Sequence, residues 1–181
     1  DGYIALADEK GLRVVADKFG FTNEIRLDAQ EEYLYIVETT GQCISRMKVR
    51  ADGSLTDREI FGPSNLGTAG FPDGIAFDAF GNLWGTLIMS DQIYALTPEG
   101  DFHVILDDGN KDASRALEQA FREDRLTPEI MLEAGGTIAP WFASVTFGGP
   151  DLKTVYIGSL RGTRIPYFQS PVAGLPMVHW G

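Results

Sequence analysis

Phe21-Thr22-Asn23-Glu24-Ile25-Arg26-Leu27-Asp28, with Tyr33-Leu34-Tyr35-Ile36 after it, matches Phe71-Pro72-Asp73-Gly74-Ile75-Ala76-Phe77-Asp78, with Asn82-Leu83-Trp84 after it. A weaker third copy is Phe142-Ala143-Ser144-Val145-Thr146-Phe147, followed by Thr154-Val155-Tyr156-Ile157. Within each copy, apolar residues occupy every second position: Ile25 and Leu27, Ile75 and Phe77, Val145 and Phe147. That period of two marks strands with one buried face. Strand units that recur at roughly 40–50 residues indicate a β-propeller. Asn23 and Asp73 hold the same place in successive copies, so the fold would aim both at the central axis.

Working outward, each motif is flanked by a hairpin. Tyr3–Ala7 turns through Glu9-Lys10-Gly11 into Leu12–Ala16; Ile44–Val49 turns at Ala51-Asp52-Gly53; Gln92–Leu96 turns at Thr97-Pro98-Glu99-Gly100 into Phe102–Leu106. Glycine, proline and acidic residues at these turns are the expected punctuation. Read along the chain, each repeat starts with an outer hairpin and ends with inner strands. Asn23 and Asp73 stand 50 positions apart, about one blade, whereas Asp73 and the matching Ala143 stand 70 apart. The excess falls between Lys111 and about Glu133. There Ala116, Leu117, Ala120 and Phe121 recur at helical spacing, and Thr127-Pro128 starts a second helical turn. This insert reads as a surface excursion over one end of the propeller, either a decorative loop or a lid.

The chain supplies three to three and a half repeats, fewer than the 4–8 blades with which propellers close. Residues 1–181 therefore read as a partial β-propeller domain, all-β apart from the helical insert. It would be the C-terminal three to four blades of a larger ring, completed by a missing N-terminal half or by a second polypeptide.

Composition narrows the partners. A net charge of −11 over 181 residues argues against nucleic acid, which needs a basic face. No apolar run approaches the ~20 residues of a membrane span, so no membrane partner is expected. The start Asp1-Gly2-Tyr3 does not read as a signal peptide and lacks an initiator Met. The single cysteine, Cys43, excludes an internal disulfide and fits a reducing, cytoplasmic setting.

Asn23 and Asp73 open their strands. An amide oxygen beside a carboxylate suits a hard cation such as Ca²⁺. Only two histidines, His103 and His179, accompany one cysteine, which argues against a zinc site. Taken singly, Asn and Asp at strand starts more often cap turns; their matched positions favour a shared site. His103 reads as an outer-strand residue and His179 as part of the tail. Gly148-Gly149-Pro150 reads as a turn, because no helix with a lysine follows. Cys43 lacks a histidine partner and reads as a buried small residue. Trp141, Phe142 and Phe71 are candidate walls of a substrate pocket, although aromatic residues in blades are more often core. Arg161 and Arg164 are assigned to cross-blade hydrogen bonding or to a substrate carboxylate or phosphate.

The stretches Phe71–Asp78 with Gly81-Asn82-Leu83-Trp84, and Phe21–Ile25, resemble the paired signatures of the SMP-30/gluconolactonase/luciferin-regenerating-enzyme family. Ser144-Val145-Thr146-Phe147-Gly148-Gly149-Pro150-Asp151 resembles its C-terminal blade. Ser159–Arg164 and Pro171–Pro176 resemble its bacterial tail. The resemblance implies a six-bladed propeller that holds one divalent cation, Ca²⁺ or another, in its channel and hydrolyses small, sugar-derived lactones. It implies that Asn23 and Asp73 are metal ligands, with Asp73 the catalytic base or the group that orients the water. A glutamate and another asparagine from the first half of the ring would complete the set. Glu24 departs from the family's usual glycine; it either puts an extra carboxylate near the site or, the favoured expectation, points into the solvent-facing layer of the blade. The alternatives are a propeller esterase or organophosphate hydrolase and a non-catalytic binding platform, and a pure platform needs no converging Asn and Asp.

Overall fold

Runs of β-branched and aromatic residues broken at Gly, Asp and Pro fold into a row of antiparallel sheets packed face to face. The computed structural model describes residues 2–177; His179 lies outside them. Strands β1 (Gly2–Asp8) and β2 (Gly11–Phe19) form a two-stranded hairpin. Strands β3 (Thr22–Leu27), β4 (Tyr33–Glu38), β5 (Cys43–Val49) and β6 (Leu55–Ile60) form a four-stranded meander. A second meander comprises β7 (Pro72–Phe77), β8 (Leu83–Leu87), β9 (Gln92–Leu96) and β10 (Phe102–Asp107). Helices α1 (Lys111–Arg122) and α2 (Pro128–Glu133) follow, then the three-stranded sheet of β11 (Phe142–Gly148), β12 (Thr154–Ser159) and β13 (Tyr167–Gln169). These sheets are propeller blades, and β3, β7 and β11 are their inner strands, with β7 packed between the other two.

The phase of the repeat differs from the sequence expectation. Each blade runs from its inner strand outward, and the β1–β2 hairpin does not join the sheet of β3. Turn residues mark where hairpins fold but carry no signal for which hairpin continues a sheet. Cross-strand pairing decides that, and β3 pairs only with β4.

Apolar layers between the blades hold the row together. Ile4, Phe19, Leu34, Ile36 and Met47 fill the layer between the first hairpin and the first meander. Tyr35, Val37, Ile75, Phe77, Leu83 and Tyr94 fill the next, where Tyr35 meets Phe61 and Phe77 edge-on at 5.0 Å each. Such edge-to-face pairs contribute about 0.5–1.5 kcal/mol each beyond area burial. Trp84, Phe142, Val145 and Val155 belong to the third layer. Ile75 and Phe77 are buried on β7, but Ile25 and Leu27 on β3 are 41% and 39% exposed. The same alternation has two outcomes because β7 has an inner strand on both sides and β3 has one on only one side.

The insert is more firmly seated than a surface excursion. Asn110 caps α1 by accepting from the Ala113 amide, and Thr127 caps α2 with Pro128 in its first turn. Leu117 of α1 packs with Ala69, Phe71 and Ile88, Ala120 is buried, and Phe121 meets Phe71 edge-on at 4.8 Å. Buried Glu118 accepts from Gln42 Nε2 at 2.8 Å and from the Ala69 amide at 3.0 Å, and it pairs with Arg122 at 2.7 Å. Its burial favours the neutral acid, but these donors outweigh that and hold the carboxyl below its ordinary value. The loop after α2 is fixed as well. Asp91 accepts from the amides of Gly136 and Phe142, and Asp108 from those of Thr137 and Ile138.

Candidate active site at the start of the inner strands

Each inner strand carries an irregularity at the same place. Regular pairing breaks between Thr22 and Ile25, between Pro72 and Ile75, and between Phe142 and Ser144. Asn23, Asp73 and Ala143 sit in these breaks. The residue two positions earlier accepts an equivalent bond from the loop beyond the second strand: Phe21 from Thr39, Phe71 from Ile88, Trp141 from Leu160. Three blades thus superpose, and the alignment of Asn23 with Asp73 and Ala143 is structural. A bulge frees side chains from the strict alternation of a strand and commonly re-aims them beside functional sites.

Asn23 and Asp73 come together. The Asn23 amide nitrogen donates to Thr39 Oγ1 at 3.2 Å, and that hydroxyl donates to the Pro72 carbonyl at 2.8 Å. Thr39 thereby ties the first bulge to the second. Its bond also orients the amide, nitrogen towards Thr39 and Oδ1 away. The same amide lies close enough to Asp73 to lower its pKa, without reaching the geometry of a full hydrogen bond. Burial dominates at Asp73, pushing the carboxyl up to about 6; Asn23 pulls it down and the nearby Glu24 charge pushes it up. Among the described residues no Lys or Arg pairs with Asp73.

Glu24 is part-buried beside the site rather than set in the solvent-facing layer, so the less favoured of its two expected positions is the one observed. Its Oε2 accepts from the Ile75 amide at 2.9 Å, and its Oε1 pairs with Arg26 at 2.5 Å. Arg26 in turn donates to the Ile75 carbonyl at 3.2 Å. A backbone amide and carbonyl left free along β7 attract this ion pair into the seam between blades. Gly74 lets the third blade approach: an added Cβ would stand 2.5 Å from Ser144 Cα.

The three aromatic candidates differ, and Phe142 is fully buried in the layer between blades, core rather than pocket wall. Phe71 is 3% exposed beneath Phe121, so its ring is core rather than pocket wall. Trp141 is half-buried with φ of +68°, its Nε1 donating to the Met131 carbonyl at 3.3 Å. The Arg161 guanidinium stands 5.5 Å from its ring centre. Neither Arg161 nor Arg164 makes a cross-blade side-chain hydrogen bond among the described residues. His103 is exposed on β10, and Cys43 is buried, its thiol pushed up to about 11 by desolvation. Sequence reasoning missed Thr39, Asp91 and Glu118, which position the site's framework. The acidic residue at the β8–β9 turn was the available signal for Asp91.

A cavity of about 380 Å³ lies near the far ends of the inner strands, between Leu27, Phe77 and Phe147, and does not include Asn23 or Asp73. The bulges locate chemistry better than this cleft, which opens between side chains that are mostly apolar. Among the described residues no cluster of three or more His, Cys, Asp or Glu is assembled. The donors present, one amide oxygen and one carboxylate without a cationic partner, fit part of the oxygen shell of a hard cation. No helix of the described residues is long and apolar enough to cross a membrane.

Residues 2–108 match the sequence profile of the SMP-30/Gluconolactonase/LRE-like region. A 6-deoxy-6-sulfogluconolactonase of Pseudomonas putida is 26% identical over 156 residues, 86% of this chain and 44% of that protein. A gluconolactonase of Xanthomonas campestris superposes with a TM-score of 0.62 at 20% identity, over 93% of this chain and 44% of that one. Regucalcin, a calcium-binding protein of Agrobacterium tumefaciens, gives 0.61 at 17%, over 89% and 45%. At those identities the solved structures establish the fold alone. The chain spans about half the length of the relatives it matches.

Proposed function

The chain belongs to the SMP-30/Gluconolactonase/LRE-like family, and from that premise we propose that the whole protein is a metal-dependent hydrolase of small, sugar-derived lactones. Asn23 and Asp73, at equivalent bulges of adjacent inner strands, carry the proposal. Support comes from the relatives: one is a sulfogluconolactonase, another a gluconolactonase, and a third binds calcium. In this account Asn23 Oδ1 and the Asp73 carboxylate are ligands of a divalent cation, Ca²⁺ being the best match to an all-oxygen set. When bound, such an ion polarises the lactone carbonyl and offsets the charge that develops on its oxygen. Asp73 holds a water beside the carbonyl carbon and accepts its proton as the water adds. The ring C–O bond then breaks, and the proton passes to the departing oxygen to give the hydroxy acid. Thr39 keeps the Asn23 amide from turning.

Chelation is the direct test. Hydrolysis of D-glucono-1,5-lactone by the full-length protein should stop in EDTA and return with Ca²⁺ or another divalent ion. Asn23→Ala should raise the concentration of metal needed for half-recovery by about ten-fold, the effect of losing one neutral ligand (roughly 1.4 kcal/mol). Activity that survives exhaustive chelation would sink the metal-dependent reading.

A further inference from the structure

Among the described residues eight of the ten arginines are ion-paired; the two that are not, Arg161 and Arg164, share one short loop. In a chain of net charge −11 carboxylates are plentiful, yet these two exposed arginines pair with none among the described residues. The loop follows β12 and therefore lies at the end of the blade where β11 begins, the end that carries Asn23 and Asp73. Its backbone is fixed. Ser159 Oγ accepts from the amides of Arg161 and Gly162 at 3.2 and 2.8 Å, and the Arg161 amide donates to Pro140 at 3.3 Å. A Cβ at Gly162 would stand 3.1 Å from Ala139, so the loop is packed down on the segment before β11.

The Arg161 guanidinium rests over Trp141, whose own orientation is set by the bond from its Nε1 to Met131. A cation–π contact with an indole attracts the guanidinium while leaving its N–H donors free. Trp141 is the structural counterpart of Phe71 and stands two residues before Ala143, the counterpart of Asp73. An exposed, uncommitted fork of donors is thus held by an aromatic platform on the rim of the candidate site.

We infer that Arg161, with Arg164 in the same loop, selects lactones carrying an anionic oxyanion substituent such as a phosphate or sulfonate. This assignment rests on the lactonase reading and adds to it the class of substrate. A guanidinium fork accepts such groups through two parallel charge-assisted hydrogen bonds. A neutral lactone gains nothing from it.

The test uses the full-length protein and three probes, D-glucono-1,5-lactone and its 6-phosphate and 6-sulfonate counterparts, with kcat/KM measured for each. The native protein should favour one of the anionic probes, and which one identifies the group. Arg161→Gln should lower kcat/KM for that probe by about ten-fold or more, while the neutral lactone changes by less than about two-fold. Arg161→Lys should recover part of the preference, since it keeps the charge but not the fork. Arg125→Gln, which removes a paired arginine in the insert, should leave the ratio unaltered. Arg161 is exposed, so loss of folding is not expected, and a circular dichroism spectrum checks it. An equal fall for all three probes, or no fall, would overturn the assignment and leave the lactonase reading standing. No hydrolysis of any probe by the native protein would overturn both.

Discussion

Replacing Asp73 with alanine in the full-length protein should abolish lactone hydrolysis, a loss of at least about a thousand-fold in kcat, the scale set by removing a positioned acid or base together with a metal ligand. The fold should survive. Asp73 sits in a bulge, pairs with no cation among the described residues, and is held in an environment that disfavours its charge. Its removal therefore breaks no structural ion pair and leaves no buried partner unsatisfied. Asp73→Asn separates the roles, because the amide can still offer an oxygen to a cation but cannot accept a proton. Metal binding that persists in the asparagine variant without turnover would assign the proton transfer to this carboxylate. Full metal-dependent activity in the alanine variant would remove Asp73 from the mechanism.

The second large effect is on stability. Phe71→Ala should destabilise the protein by about 3–5 kcal/mol, the range for deleting a buried aromatic ring whose site cannot collapse. Phe71 lies where β7, the start of the insert and the segment at Ala69 meet, and its ring contacts Phe121 edge-on. Urea unfolding followed by fluorescence measures the loss. A pocket-wall residue would behave differently, with stability nearly unchanged and KM raised. That second outcome would return Phe71 to the substrate site and would mean that α1 swings away from the blades in solution.

Much of this architecture was legible in the chain. Alternating apolar residues at Ile75 and Phe77, and the turn residues at Asp52-Gly53 and Glu99-Gly100, located strands and hairpins. The helical spacing of Leu117, Ala120 and Phe121 located the insert. These signals are local: each states that a face is buried or that the chain reverses. They do not state what covers the face. The phase of the blades depends on which strands pair, and the seam position of Glu24 and the burial of Phe71 depend on Ile75 and Phe121, about 50 positions away; period and composition are silent about those. Ile25 and Leu27 show the same limit from the other side, since a buried-strand pattern ends up half exposed where no inner strand packs on that face. At the site, the pairing of Asn23 with Asp73 was legible because the repeat itself encodes it. Thr39 was not, because its part in the site comes only from the bulge geometry that brings it between two blades.

Diffraction from crystals of the full-length protein grown with Ca²⁺ tests the central claim most directly. The account predicts one cation in the channel with Asn23 Oδ1 and an Asp73 carboxylate oxygen both within the ~2.3–2.6 Å typical of calcium. A channel in which Asn23 and Asp73 point away from the axis, or a cation held without either of them, would contradict it.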